Sequence, residues 1–273
     1  MRWSWSPWVE FSPTAFGDPP HEAGLYRIRV ADASTLAYLG QTRRGLRERL
    51  LGLRRGTFAQ EMPYNDPHTA APGLWAFRVE DSSIYEASWA PMPDASERDL
   101  HTAEALELAD HRLTHGTSTL LNHGRHHLHW TRPSNRERGL GRRGERRREP
   151  EAYDSAPPAP RLGIAGQGGW MGRAWSPTTE LRPPPSTAPD APGVYVLVHD
   201  DRVIYIGQSM SLGQRLQAHG RSNWPAETSV RWSTLPKDSP QHWLLELEVD
   251  LLGAYIAAHG TAPAGQFSGR EGR

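Results

Sequence analysis

Two stretches of the chain alternate apolar and polar positions, break at a polar turn, alternate again and then change to helical spacing. The later one reads GVYVLVHDDRVIYIGQSMSLGQRLQAH, residues 193 to 219. GVYVLVH is rich in Val and Tyr with period two, HDD is a turn, and RVIYIG is a second strand, so a hairpin ending at Gly207 is expected. Beyond it, Leu212 and Leu216 share one helical face, with Ser209 as the candidate N-cap. VRWSTL reads as a third short strand. SPQHWLLELEVDLLGAYIAAHG opens on Ser239-Pro240, a cap followed by a first-turn proline, and closes on Gly260. That predicts a long helix, apolar at Leu244, Leu245, Leu251, Leu252 and Ile256.

The earlier stretch, GLYRIRVADASTLAYLGQTRRGLRERL (residues 24 to 50), repeats the order. GLYRIRV and LAYLG read as strands around a longer turn, GLRERLLGLR as a helix and LWAFRVE as the third strand. ASERDLHTAEALELADHRLTHG reads as the long helix, capped by Ser96 and ended by Gly116. Trp5-Ser6-Pro7 precedes the first copy and Trp175-Ser176-Pro177 precedes the second, 170 residues later. An offset of that size indicates a duplicated domain and not a solenoid repeat.

The expected fold class is therefore α+β, in two tandem small domains. Each is a three-stranded, mainly antiparallel sheet flanked by helices in the order β-β-α-β-α. The first domain is placed at residues 1–132 and the second at 170–273. Between them, 133–169 is arginine-rich and then Pro/Ala/Gly-rich without apolar periodicity, as a flexible linker is. Its arginines are suited either to phosphate or to a solvated tether.

The tyrosine triplets add chemistry to this picture. Gly24-Leu25-Tyr26 and Tyr38-Leu39-Gly40 occur in the first copy, and Gly193-Val194-Tyr195 and Tyr205-Ile206-Gly207 in the second. Arg49 follows three residues after Leu46, and Arg215 three after Leu212. Glu104 and Glu248 each lie 11 residues before a His-Gly pair, and Asn122 lies just beyond the first long helix. Together these residues resemble the GIY-YIG nuclease family, across nearly all of both copies but not the linker. The second copy departs at the last element, where the same step from Glu248 lands on Gln266.

The resemblance implies hydrolysis of a DNA phosphodiester with a divalent metal, Mg²⁺ or Mn²⁺. Its site residues would be Tyr26, Tyr38, Arg49, Glu104 and Asn122, and Tyr195, Tyr205, Arg215 and Glu248. Glu104 and Glu248 would hold the metal, since Mg²⁺ keeps several waters and needs only one or two carboxylates. A phenol accepts the proton of the attacking water only if nearby cations lower its pKa from about 10. Arg49 and Arg215 are the natural cations, and Asn122 would orient substrate or a ligand water. His219, four residues after Arg215 on the same helical face, is a further candidate for proton transfer or phosphate contact; the first copy has Leu53 there. Helix carboxylates are crowded: Glu107 lies near Glu104, and Glu246 and Asp250 near Glu248, which leaves a one-turn ambiguity.

Composition limits the function classes. With 273 residues, 37% hydrophobic, and equal numbers of basic and acidic residues (31 each), the chain lacks a broadly basic character. That leaves a small-molecule enzyme of the same fold, or a nucleic-acid-binding module with inactive sites, as alternatives to a nuclease. The absence of cysteine excludes disulfides and thiolate metal sites and fits a cytoplasmic protein. No apolar run approaches the roughly 20 residues of a membrane helix, so no membrane association is expected. The N-terminus has no secretory pattern. Because the domain is duplicated, oligomerisation is not required. Three features have no place in the motif. Asp66 and His68 belong to a stretch present only in the first copy, read either as a turn into a strand or as a substrate loop. His123, His126, His127 and His129 suit zinc, phosphate or a solvated tail. Trp3, Trp5 and Trp8 suit sealing of a sheet.

Overall fold

A computed structural model describes residues 3–65, 68–136 and 141–267. Its elements divide between two compact units. The first comprises residues 1–104 and 118–154, the second 105–117 and 155–273.

In the first unit, β1 (Val9–Phe11), β2 (Gly24–Val30), β3 (Leu36–Thr42) and β4 (Tyr85–Pro91) form an antiparallel sheet in the order β1-β4-β2-β3. Helices α1 (Leu46–Thr57) and α2 (Ala71–Asp81) pack against each other, and α1 also against β2. Helix α3 (Glu97–His115) begins in this unit. In the second unit, β5 (Thr179–Glu180), β6 (Gly193–His199), β7 (Arg202–Ser209) and β8 (Ser229–Thr234) repeat the arrangement as β5-β8-β6-β7. Helices α4 (Leu212–Gly220) and α5 (Gln241–His259) pack on its hairpin. Both hairpins carry a register shift at the same step, after Ile28 and after Leu197.

Each sheet thus has four strands, where three were expected. The Trp-Ser-Pro repeat supplies the fourth. Ser6 donates its N–H to the Trp89 carbonyl (2.8 Å) and accepts the Trp89 N–H on its hydroxyl (3.1 Å); Ser176 does the same with Trp232 at the same distances. One serine satisfies both main-chain groups of an edge residue, and the short strands β1 and β5 follow from that anchor. The tryptophans cover the sheet as expected: Trp3 and Trp5 pack on Leu25 and Ala90, while the Arg27 guanidinium lies 4.1 Å above Trp5 and 4.6 Å from Trp8.

The third strand of the first copy needs correction. LWAFRVE is not a strand but most of α2, which has a proline in its first turn and buries Leu74, Trp75 and Ala76. The strand is YEASWAP, held between β1 and β2 despite its poor β-formers. The cap of α4 is Ser211, whose hydroxyl accepts the Gln214 N–H, and not Ser209. Helix α5 starts one residue later than expected, with Pro240 at the cap position. Ser96 does cap α3, exchanging hydrogen bonds with Asp99, and Gly116 and Gly260 end the long helices at positive φ.

The segment 133–169 divides between the units. In the first, Arg146 pairs with Trp130 as an isolated bridge and forks onto Glu80 (2.9 and 3.1 Å). In the second, Ala156 and Ala159 donate their N–H groups to Glu246 and Asp250. No helix of the described residues is long and apolar enough to cross a membrane.

Candidate active site

The site of each unit is built on its hairpin. Tyr26 stands opposite Gly40 and Tyr195 opposite Gly207, and these two tyrosines are fully buried. The phenol lies over the facing glycine: a Cβ on Gly40 would fall 2.8 Å from the Tyr26 hydroxyl, and one on Gly207 2.5 Å from that of Tyr195. The glycine of the second triplet is therefore the space for the tyrosine of the first. Gly24 and Gly193 have the matching restriction, with the carbonyls of Ala90 and Ser233 at 2.3 and 2.5 Å from a would-be Cβ. The second tyrosines lie beside the first, with ring centroids 6.0 Å apart in both pairs.

The helix arginine reaches the first phenol in both units. Arg49 Nε donates to Tyr26 Oη at 2.9 Å and Arg215 Nε to Tyr195 Oη at 3.0 Å. Burial works against each guanidinium charge, but the paired phenols outweigh it and raise the arginine pKa. The expected lowering of the phenol pKa is not found. Burial pushes Tyr26, Tyr38 and Tyr195 above the ordinary value, and the arginine recovers only part of the shift. In the free protein these phenols are neutral at physiological pH.

The carboxylates come to the same place. The Glu104 charge raises the pKa of both Tyr26 and Tyr38, and the Glu248 charge raises that of Tyr195, so each lies within electrostatic reach of its phenols. The one-turn ambiguity on α5 is resolved by Arg112, which is buried in the second unit. It donates to Asp250 at 2.7 and 3.0 Å and lies 3.3 Å from Glu246. Glu246 and Asp250 are committed there, whereas Glu248 faces Arg215. Burial pushes Glu248 up to about 7, with Arg215 opposing. In the first unit Glu104 has His101 one turn earlier, 3.6 Å away.

Among the described residues, no group of three or more His, Asp or Glu is placed to hold a metal ion. Each site offers one carboxylate. A single carboxylate suits a hard cation held largely through water.

Asn122 is placed differently from its expected role. Its amide accepts the Leu39 N–H (3.0 Å) and donates to the Leu39 carbonyl (2.8 Å), and its Oδ1 also accepts from Thr119 (2.7 Å). These bonds hold the amide on the outer edge of β3, between Tyr38 and Gly40, so Asn122 positions the strand that carries Tyr38. Gln266 accepts the Ile206 N–H at 3.1 Å, at the equivalent step of β7. The apparent departure in the second copy is thus the same strand clamp made with a longer side chain.

His219 is buried against Tyr195, with Nε2 2.7 Å from the hydroxyl. Trp224 donates its indole N–H to Nδ1 at 3.0 Å. An indole can only donate, so Nδ1 carries no proton and Nε2–H is the donor to Tyr195. The Tyr195 oxygen therefore receives two N–H groups, from Arg215 and His219.

The surroundings of the two sites differ. In the first unit, two cavities of about 490 and 510 Å³ share His68 as a lining residue. Arg43, Arg44 and Arg49 line one, and Arg55, Arg136 and Arg143 the other, against Glu48, Glu97 and Glu61. In the second unit the cavity at Tyr205, Arg215, His219 and Trp224 holds only about 80 Å³. The arginine path could not be read from a net charge of zero: six arginines line the two cavities against three glutamates, although Arg43 and Arg143 are paired with Glu97 and Glu61. His68 leads into helix α2, not a strand; Asp66 lies outside the described residues. Of the histidine run, His126 and His127 are buried in the first unit and are not a solvated tail, and His127 lies 3.3 Å from Asp81. No protein-family model, curated protein or solved structure matches the chain.

Proposed function

We propose that the protein is a divalent-metal-dependent endonuclease of the GIY-YIG type that hydrolyses DNA phosphodiester bonds. The observation that carries this reading is the phenol–guanidinium hydrogen bond, made in both units with a carboxylate in electrostatic reach. A fork such as Arg49 fits two phosphoryl oxygens and stabilises charge that builds on them. The Tyr26 hydroxyl, already accepting from Arg49, is held to orient a water; it would take that water's proton only as the phenolate, after a bound cation had favoured loss of its own proton to solvent. A divalent ion at Glu104 or Glu248, with Mg²⁺ or Mn²⁺ as the candidates, would supply the positive charge that burial of the phenols calls for and would stabilise the leaving oxygen.

The arginine-lined path of the first unit supports a polymeric anion as substrate. The narrow second cavity supports a lesser share of the cutting there. Duplication supplies two sites on one chain, so cleavage has no need of a second copy. The test is incubation of DNA and Mg²⁺ with wild type, Tyr26→Phe and Tyr195→Phe. Tyr26→Phe should lose at least about 100-fold in rate, on the scale of a lost acid–base group. Wild-type cutting by both variants together would sink the reading.

A further inference from the structure

Among their differences, the two arginine helices diverge at the third and fourth residues after the arginine. After Arg215 come Ala218 and His219; after Arg49 the same steps are Gly52 and Leu53. The first helix thus lacks the imidazole, yet an imidazole is present. His68, from the loop before α2, lies so close to α1 that a Cβ on Gly52 would fall 2.1 Å from its Nε2. Only glycine leaves that space. Both sites therefore hold a histidine beside their helix arginine, delivered by different elements.

The His68 ring lines both cavities of the first unit. Its Nδ1 is buried and without a hydrogen-bond partner among the described residues. A buried polar atom left in that state is costly, and a turn of the ring into either cavity would give it a partner. Resting on the nuclease reading, we propose that His68 contacts the phosphate of the DNA strand in the first site, hydrogen-bonding a phosphoryl oxygen beside Arg49 and Arg55. Burial, then Arg49 and Arg55 on α1, hold the free imidazole neutral, with a pKa lowered to about 4; Glu48, Glu61 and Glu97 are the carboxylates lining the cavities. A phosphate anion offsets the two arginines, so the ring takes up a proton as DNA arrives and donates an N–H to it.

The experiment follows the His68 ring by NMR in the full-length Glu104→Gln/Glu248→Gln chain, without metal, before and after addition of a short DNA duplex. The titration midpoint should rise by at least about one pH unit on binding. His68→Gln should bind the duplex about tenfold more weakly at about pH 5.5, with a smaller loss at about pH 8. Gly52→Ala, which displaces the ring without removing it, should reproduce that loss if His68→Gln folds poorly. Duplex binding with an unmoved His68 midpoint would overturn this proposal alone. Failure of the duplex to bind at any pH would overturn the nuclease reading as well.

Discussion

The hydroxyl of Tyr26 occupies the space that a side chain at Gly40 would need, leaving 2.8 Å to a would-be Cβ. Tyr195 and Gly207 repeat the relationship at 2.5 Å. The two triplets are therefore one packing unit, and each fixes where the phenol meets the helix arginine. Gly207→Ala should push Tyr195 away from Arg215 and destabilise the chain by about 1–3 kcal/mol, the scale of core overpacking. Urea unfolding checks the stability, and loss of the Tyr195–Arg215 contact in a crystal structure of the variant checks the cause. An unchanged midpoint would contradict it.

Asn122 and Gln266 clamp the free edges of β3 and β7. Asn122→Ala strands both main-chain groups of Leu39 and should cost about 1–3 kcal/mol. Amide hydrogen exchange gives the local signature: the Leu39 N–H should exchange faster in Asn122→Ala, and the Ile206 N–H in Gln266→Ala. Protection that stays at the wild-type level in both would show that the amides are not anchored this way.

Arg112 is buried with Asp250 and Glu246 in the second unit. Removing it leaves two buried carboxylates without their cation. Arg112→Ala should destabilise by about 3–5 kcal/mol, far more than loss of an exposed pair such as Arg43–Glu97. Denaturant unfolding of the two alanine variants side by side decides the order.

Glu248 gives the chain a pH dependence with a defined sign. Its folded pKa, about 7, lies above the 4.5 of a free carboxyl, so the folded state holds the proton more tightly. Its contribution is full below about pH 4.5 and is lost as pH rises through about 7. Wild type should therefore lose about 1–3 kcal/mol relative to Glu248→Gln across that window. Mg²⁺ binding should release a proton near pH 6.5 in wild type but not in the variant, read by calorimetry in buffers of different ionisation enthalpy. Parallel stability profiles would contradict the burial of this carboxyl.

Much of this arrangement is legible in the sequence because it is local. Alternation in GVYVLVH and RVIYIG, the Ser96 cap and the closing Gly116 and Gly260 place the hairpins and long helices where they are found. LWAFRVE misleads because Trp, Phe and Val favour strands, while Pro72 and the packing of Leu74 select a helix. YEASWAP is a strand only by virtue of its neighbours. The pairing of His68 with Gly52, and the neutralisation of Glu246 and Asp250 by Arg112, join residues far apart in the chain, and periodicity carries no trace of them. The pKa of Tyr26 is hidden for a related reason, since it depends on how far burial outweighs Arg49.

The most direct test of the central claim is the conversion of supercoiled plasmid by the full chain in Mg²⁺, comparing wild type with Glu104→Gln, Glu248→Gln and the double variant. Wild type should nick and linearise the plasmid. Glu104→Gln should be slower by about 10²–10³-fold, Glu248→Gln less affected, and the double variant inactive. Cutting by the double variant at the wild-type rate, or no cutting by wild type, would contradict the account.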